Sequence, residues 1–298
     1  MRVIPLGSHD NELCAFDRAM LLEDPTGARF LYDPGNTVRG AGDPRLGRID
    51  AVLLSHVHDD HIGTAHQPTS NAGNCPNPDF SIPATPHSNT VNIAAGKGAQ
   101  LIVGAEAENF FRGKVAAAGG DPQKLVRPIR MGEQLMVGKV MVASVPASHG
   151  NGLSSAFVTG QLAQMLAANG LTAYARPAGG FVLRFSNGLT VYLSGDTGVT
   201  AEQALVVRGQ YNATLAVMNM GRFPPALGPE ELSYIVNELV RPEAVIISHV
   251  DEAATLNGTV VPGSKTAAFM KAAKMPVSVP RSGRTMEFDA NAKCVSGC

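Results

Sequence analysis

Residues 56 to 61 read His-Val-His-Asp-Asp-His, three imidazoles and two carboxylates in six positions, placed directly after the apolar run Ala51–Leu54 and closed by Ile62 and Gly63. An imidazole neutral at pH 7 binds zinc well, and a neighbouring carboxylate adds an anionic oxygen that suits the same borderline ion. The apolar run reads as a buried strand, so the cluster sits at its C-terminal end, where a turning chain can aim several side chains at one point. His56 and His58, two apart in an extended segment, point to one side, while Asp60 and His61 follow in the turn and reach a second position. A lone histidine is usually a satisfied structural residue; three in six with an Asp between them predict two metal ions.

The same logic recurs three times further along, as an apolar strand followed by one polar residue able to hold metal. Met141–Val145 runs to His149, Leu189–Leu193 runs to Asp196 within Ser-Gly-Asp-Thr-Gly, and Ala244–Ile247 runs to His249. With His56, His58, Asp60 and His61 this makes seven ligands, enough for two ions if Asp196 bridges them.

The elements that must carry these residues alternate along the chain. Strands are predicted at Val3–Leu6, Ala19–Leu22, Phe30–Tyr32 and Ala51–Leu54, separated by turns such as Asp33-Pro34-Gly35. A polar, Pro/Asn-rich loop follows over 65–90, longer than a connector needs to be. Helix Val91–Lys97, strand Gln100–Val103, helix Ala105–Ala118 and strands Gln134–Val137 and Lys139–Val145 come next. Residues 151–178 interrupt the alternation with a short helix, Gln161–Ala168. Strands Gly180–Phe185 and Leu189–Leu193 are joined by the hairpin turn Ser186-Asn187-Gly188. Helix Ala201–Arg208, strand Thr214–Met218, helix Pro229–Val240, strand Ala244–Ile247, helix Ser264–Ala273 and strands at Val277–Val279 and Thr285–Phe288 complete the pattern. Two strand-rich halves, each with helices and no linker between them, fit one layered α/β domain over 1–298, with loop insertions 65–90 and 151–178 flanking the metal site.

The HxHxDH motif at 56–61, the later His149, Gly-Asp-Thr at 195–197 and His249 resemble the metallo-β-lactamase superfamily over the whole chain. Leu6-Gly7-Ser8 and Leu31-Tyr32-Asp33-Pro34-Gly35 look like that family too. The resemblance implies a four-layer αββα sandwich with the metals at one edge. It also implies that His56, His58 and His149 hold one zinc, that Asp60, His61 and His249 hold the other, and that Asp196 bridges. In such an enzyme two Zn2+, about 3.5–4 Å apart, share a hydroxide nucleophile, and Asp60 orients that hydroxide as well as ligating. Mn2+ or Fe2+ can replace zinc in a mixed His and carboxylate set. Members that open β-lactams typically lack the bridging Asp, whereas lactonases, thioesterases, phosphodiesterases and tRNA-processing nucleases have it, so a lactone or carboxylic ester is the expected substrate. A phosphodiesterase or RNA-processing nuclease is the alternative, with weak β-lactamase-like activity and a non-catalytic metal scaffold behind it. The stretch Asn219–Glu231 looks more loosely like the ascorbate-6-phosphate lactonase and N-acylethanolamine phospholipase branch. Val250, Asp251 and Glu252 after the last His depart from that branch, and its substrate is not carried over.

Composition narrows the partners. A net charge of -1 and no basic cluster argue against nucleic acid and for a small-molecule substrate. Apolar runs reach only about six residues, short of the roughly 18 that span a bilayer. Val3–Leu6 follows Met1 too closely to leave room for a signal peptide. Low lysine, abundant Ala and Gly, and the Asn/Pro loop around Cys75 nevertheless lean towards a periplasmic or secreted protein whose signal peptide has been removed. Cys14 with Cys75 and Cys294 with Cys298 are the conceivable bridges, four free thiols the alternative. Arg222, His87 and Tyr174 are candidate substrate contacts, with His9 and His66 behind them. Asp251 and Glu252 are candidate partners of His249. Cys75 has no neighbouring base and is discounted as a nucleophile.

Overall fold

In a computed structural model, described here over residues 1–221 and 227–298, two β-sheets face each other and each carries helices on its outer side. One sheet has the order Val126–Ile129, Gln100–Gly104, Ala51–Leu53, Arg29–Tyr32, Met20–Glu23, Arg2–Pro5, Met286–Phe288, Cys294–Ser296. The other runs Gln134–Val137, Val140–Pro146, Gly179–Arg184, Thr190–Leu193, Leu215–Asn219, Ala244–Ser248, Val277–Ser278. The period-2 alternation of side chains explains the layering. Met20, Leu22, Val191, Leu193, Leu215 and Val217 face the opposite sheet in a shared core, while Leu21 and Tyr192 point outward. Leu21 packs in a core with Val91, Ile93 and Phe111 of helices Asn89–Lys97 and Glu108–Ala117. Tyr192 packs with Val207, Leu232, Val236 and Phe269, from the helical segments Gln203–Arg208, Pro229–Val240 and Lys265–Ala272. This is the expected four-layer αββα α/β architecture.

Strand direction places the site. Arg29–Tyr32, Ala51–Leu53 and Gln100–Gly104 are mutually parallel, as are Thr190–Leu193, Leu215–Asn219 and Ala244–Ser248. Val140–Pro146 runs the same way as Thr190–Leu193, because two antiparallel pairings through Gly179–Arg184 separate them. All the strands that precede predicted ligands therefore end at one edge, the position where parallel α/β sheets present ligand-binding loops.

The insertions differ from plain loops. Residues 65–90 contain two small antiparallel pairs, Ala65–His66 with Ile82–Pro83 and Gly73–Asn74 with Asn77–Pro78, and the helix expected from Val91 starts at Asn89, where the Ser88 side chain accepts from Val91 N. Both disulfides are formed, Cys14–Cys75 and Cys294–Cys298, the first tying the insertion to the 13–18 loop. In 151–178 the helix spans Gly160–Ala168 and buries none of its residues. Among the described residues no helix is long and apolar enough to cross a membrane.

Candidate metal centre

The seven predicted side chains meet at the common sheet edge. His58 precedes the single helical turn Asp59–Ile62, which Gly63 terminates with a left-handed backbone (φ 73°). His56 and His58 thus leave an extended chain, and Asp60 and His61 leave the turn. His56 Nε2 lies 3.0 Å from His58 Nδ1, and His149 Nε2 lies 3.2 Å from the same atom. Beside this trio, Asp60 Oδ2 is 3.2 Å from His249 Nε2 and 4.0 Å from His61 Nε2. Asp196 Oδ2 stands between the groups, 3.3 Å from His61 Nε2, 3.3 Å from His249 Nε2 and 3.9 Å from His149 Nε2. Gly195, ahead of it, has φ 59°, and a Cβ there would come within 2.6 Å of Gly179 O, so the turn that presents Asp196 requires glycine.

Neighbouring side chains fix which nitrogens face the cluster. Asp33 Oδ2 accepts from Ser55 Oγ at 2.6 Å and from His61 Nδ1 at 2.7 Å, and Asp33 Oδ1 accepts from Ser55 N at 2.8 Å. The Ser55 proton being committed to Asp33, its oxygen accepts from His56 Nδ1 at 3.0 Å. Both imidazoles therefore engage Nδ1 with these partners and turn Nε2 towards the cluster, the arrangement that orients metal-binding histidines. His249, itself left-handed at φ 50°, has Nδ1 3.3 Å from Asp251 Oδ1. Asn151 Oδ1 accepts from Val57 N at 2.7 Å and its amide donates to Arg176 O at 2.9 Å. Buried Arg176 in turn donates to Ser55 O. Ser194 Oγ donates to Asn219 Oδ1 at 3.0 Å, steadying the Asp196 turn.

Charge follows the same division. Burial, reinforced by His61, holds His56 well below the ordinary imidazole value, and burial also lowers His58 and His149. Burial opposes charge on His61 and His249 as well, but chiefly Asp196 outweighs it; both are raised, His249 well above its ordinary value. Burial would push Asp60 and Asp196 up, yet the surrounding cations, Arg18 and His61 for the first and His249 and His61 for the second, hold both well below the usual carboxylate range. Three neutral imidazoles converge with nitrogens about 3 Å apart, and His61 Nε2 and Asp196 Oδ1 are buried without a hydrogen-bond partner among the described residues. Lone pairs and orphaned acceptors so arranged are what bound metal would satisfy, and the donor set suits divalent transition metals. The groups able to hold a metal are His56, His58 and His149; His56, His61 and Asp196; and Asp60, His61 and His249.

Tyr174 is 66 % exposed and bridges to Gly152, lining an apolar groove with Phe110, Phe157 and Leu162. His87 lies in the segment before helix Asn89–Lys97, and neither it nor Tyr174 lines the cleft formed by Arg18, Asp33, His61, Asp196 and His249. Arg222 falls outside the described residues. His66 Nδ1 pairs with Gln67 O and His9 Nδ1 with Ser8 Oγ. Asp251 meets His249 as expected, whereas Glu252 accepts from Lys265 N and Thr266 N at the start of helix Lys265–Ala272. Sequence reasoning missed Asp33, Ser55 and Arg18. Asp33 carried the signal used for the ligands, a polar residue ending an apolar strand, but Arg18 enters ahead of its strand and had none.

Residues 28–256 match the family model described as the beta-lactamase superfamily domain. The chain is 27 % identical over 259 residues to a UPF0173 metal-dependent hydrolase of Thermodesulfovibrio yellowstonii, covering 85 % of this chain and 79 % of that protein. Among solved structures it is similar to Igni18, a metallo hydrolase from Ignicoccus hospitalis (TM-score 0.60, 18 % identity, 97 % and 100 % of the two chains). It is also similar to an isothiocyanate hydrolase from Delia radicum gut bacteria (TM-score 0.57, 16 % identity, 97 % and 100 %). At such identities the two structures establish a shared fold.

Proposed function

The chain belongs to the metallo-β-lactamase superfamily of metal-dependent hydrolases, and from that membership we propose a dinuclear zinc enzyme acting on a small, uncharged ester-like substrate, a lactone or carboxylic ester. The observation that carries the two-metal reading is Asp196, whose Oδ2 lies within 3.3–3.9 Å of histidines from both groups, as a bridging ligand must. His56, His58 and His149 would hold one ion, and Asp60, His61 and His249 the other. When bound, such ions supply Lewis acidity and a water that ionises near neutral pH. Asp60, kept anionic by Arg18 and His61, would accept a hydrogen bond from the attacking water and so direct it. Mn2+ or Fe2+ would fit the same donors.

Substrate class is read from the segment that follows His149. Residues 150–175 contain no Asp, Glu, Lys, Arg or His, yet Asn151 and Arg176 anchor this segment to the backbone of Ser55 and Val57. A segment without charged side chains following a ligand histidine favours a neutral substrate over a phosphodiester or nucleic acid, which would call for several cations. The two disulfides support a working place in an oxidising compartment. The test is zinc-loaded protein assayed on chromogenic lactones, carboxylic esters, phosphodiesters and β-lactams. Lactone or ester turnover that disappears together with bound metal in Asp196→Ala is expected. Turnover confined to phosphodiesters would overturn the substrate, and bound zinc with no turnover of any class would leave a scaffold.

A further inference from the structure

Arg18 reaches the metal edge from the direction opposite to the ligands, since it precedes Met20–Glu23, which runs antiparallel to Arg29–Tyr32. Its side chain is 2 % exposed, and Nη1 is bound to Asp60 Oδ2. That oxygen is the one shared with His249 Nε2 and His61 Nε2. Arg18 Nε donates to Phe16 O at 3.2 Å, and Nη2 is buried without a partner among the described residues. The loop holding it is fixed from several sides. Cys14 is bonded to Cys75, the Asp17 carboxylate accepts from Ser8 N at 2.8 Å and Cys14 N at 2.9 Å, and Asp17 O accepts from His249 N at 3.0 Å. A guanidinium held this way stays beside the cluster.

We propose that Arg18 is a positioning residue that makes the two metal positions unequal: by sharing the charge of Asp60 it weakens binding at Asp60, His61 and His249 more than at His56, His58 and His149. The proposal rests on the two-metal reading. A carboxylate oxygen already accepting from a guanidinium has less charge to give a second cation, and a buried positive group repels a divalent ion where the interior screens weakly. Among the described residues, the ion pair of Arg18 is with Asp60, and none of the three histidines of the first group contacts it through a hydrogen bond.

Metal-free wild type, Arg18→Met and Arg18→Lys are titrated with zinc against a competing chelator, and bound zinc is counted by mass spectrometry. Wild type is expected to fill in two steps with the second at least tenfold weaker. Arg18→Met should tighten that weaker step at least tenfold and move the tighter one less, and Arg18→Lys, which keeps the charge, should stay close to wild type. The rise in melting temperature on adding zinc should also be larger in Arg18→Met than in wild type, since ligand binding stabilises the state it prefers. If Arg18→Met does not fold without metal, Arg18→Gln removes the charge while keeping a hydrogen-bond donor and reads the same step. Two equal steps in wild type, or a weaker step left unchanged or weakened further in the uncharged variant, would overturn the role of Arg18. Fewer than two zinc ions in wild type would overturn the two-metal reading instead.

Discussion

Asp33→Asn keeps the shape of a residue that holds two histidines in order and replaces one of its oxygens by an NH2 group. Asp33 Oδ2 accepts from His61 Nδ1 and Ser55 Oγ, at 2.7 and 2.6 Å, while Oδ1 accepts from Ser55 N at 2.8 Å. Suppose the new NH2 faces His61. Nδ1 must then accept rather than donate, the ring proton moves to Nε2, and the nitrogen aimed at Asp196 can no longer bind metal. If the amide turns the other way, its NH2 meets the Ser55 N–H, and a buried donor without an acceptor costs about 1–3 kcal/mol. Outer partners of ligating histidines typically carry about 10–100-fold in metal affinity, or about 1.4–2.7 kcal/mol. Either orientation therefore forfeits a similar free energy, visible as weaker zinc binding at the Asp60–His61–His249 position or as a lower melting temperature, about 2–4 °C per kcal/mol in large domains. Chelator competition and calorimetry on the same samples read both. An Asp33→Asn protein with unchanged zinc affinity and unchanged melting temperature would refute the tautomer argument.

Three other outcomes are expected. In metal-free protein the raised His249 contributes stability that is complete below the ordinary imidazole pKa and lost as pH rises through its elevated value, while the depressed Asp60 and Asp196 contribute stability above the ordinary carboxylate pKa that is lost only as pH falls through their lowered values. Zinc must displace the protons on His61 and His249, so stabilisation by zinc should grow with pH, and titration calorimetry in buffers of different ionisation heat should register proton release; pH-independent binding would contradict this. Cys14→Ser with Cys75→Ser opens a loop of sequence separation 61, for which chain entropy predicts a loss of about 4 kcal/mol, read by chemical denaturation; a loss near zero would show that the unfolded chain is not constrained by this bond. Arg176→Ala removes the guanidinium that donates to the Leu54 and Ser55 carbonyls, leaving Ser55 O with the Gly179 N–H alone, and should destabilise by about 1–3 kcal/mol, whereas an unchanged melting temperature would detach segment 150–175 from the metal loop.

Much of the fold was legible because burial imposes a pattern on the sequence. Strands buried on one or both faces, such as Leu215–Asn219 and Ala244–Ser248, stand out as apolar runs, and the residue that ends each one lands at the metal edge. The strand Val126–Ile129 was missed: it is four residues long, contains Pro128 and lies at the outside of its sheet, where only one neighbour constrains it. The helix read as Ala105–Ala118 is a tight turn over Ala105–Ala107 followed by Glu108–Ala117, a distinction of hydrogen bonding that periodicity does not encode. In the site, the seven histidines and aspartates announce themselves by type. Asp33 and Ser55 do not, since a carboxylate after a strand and a serine before a motif are ordinary residues until distance makes them partners. Arg18 is further hidden, because its neighbour Asp60 is 42 positions away and only the antiparallel return of Met20–Glu23 brings it there.

The central claim is that two metal ions, spanned by Asp196, make this chain a hydrolase of neutral esters. Metal-free protein given increasing equivalents of zinc, with ester or lactone hydrolysis followed at each point, tests it most directly. Activity should be absent without metal and rise until the second equivalent is bound; turnover in the metal-free protein, or activity complete at one equivalent with no second ion taken up, would contradict it.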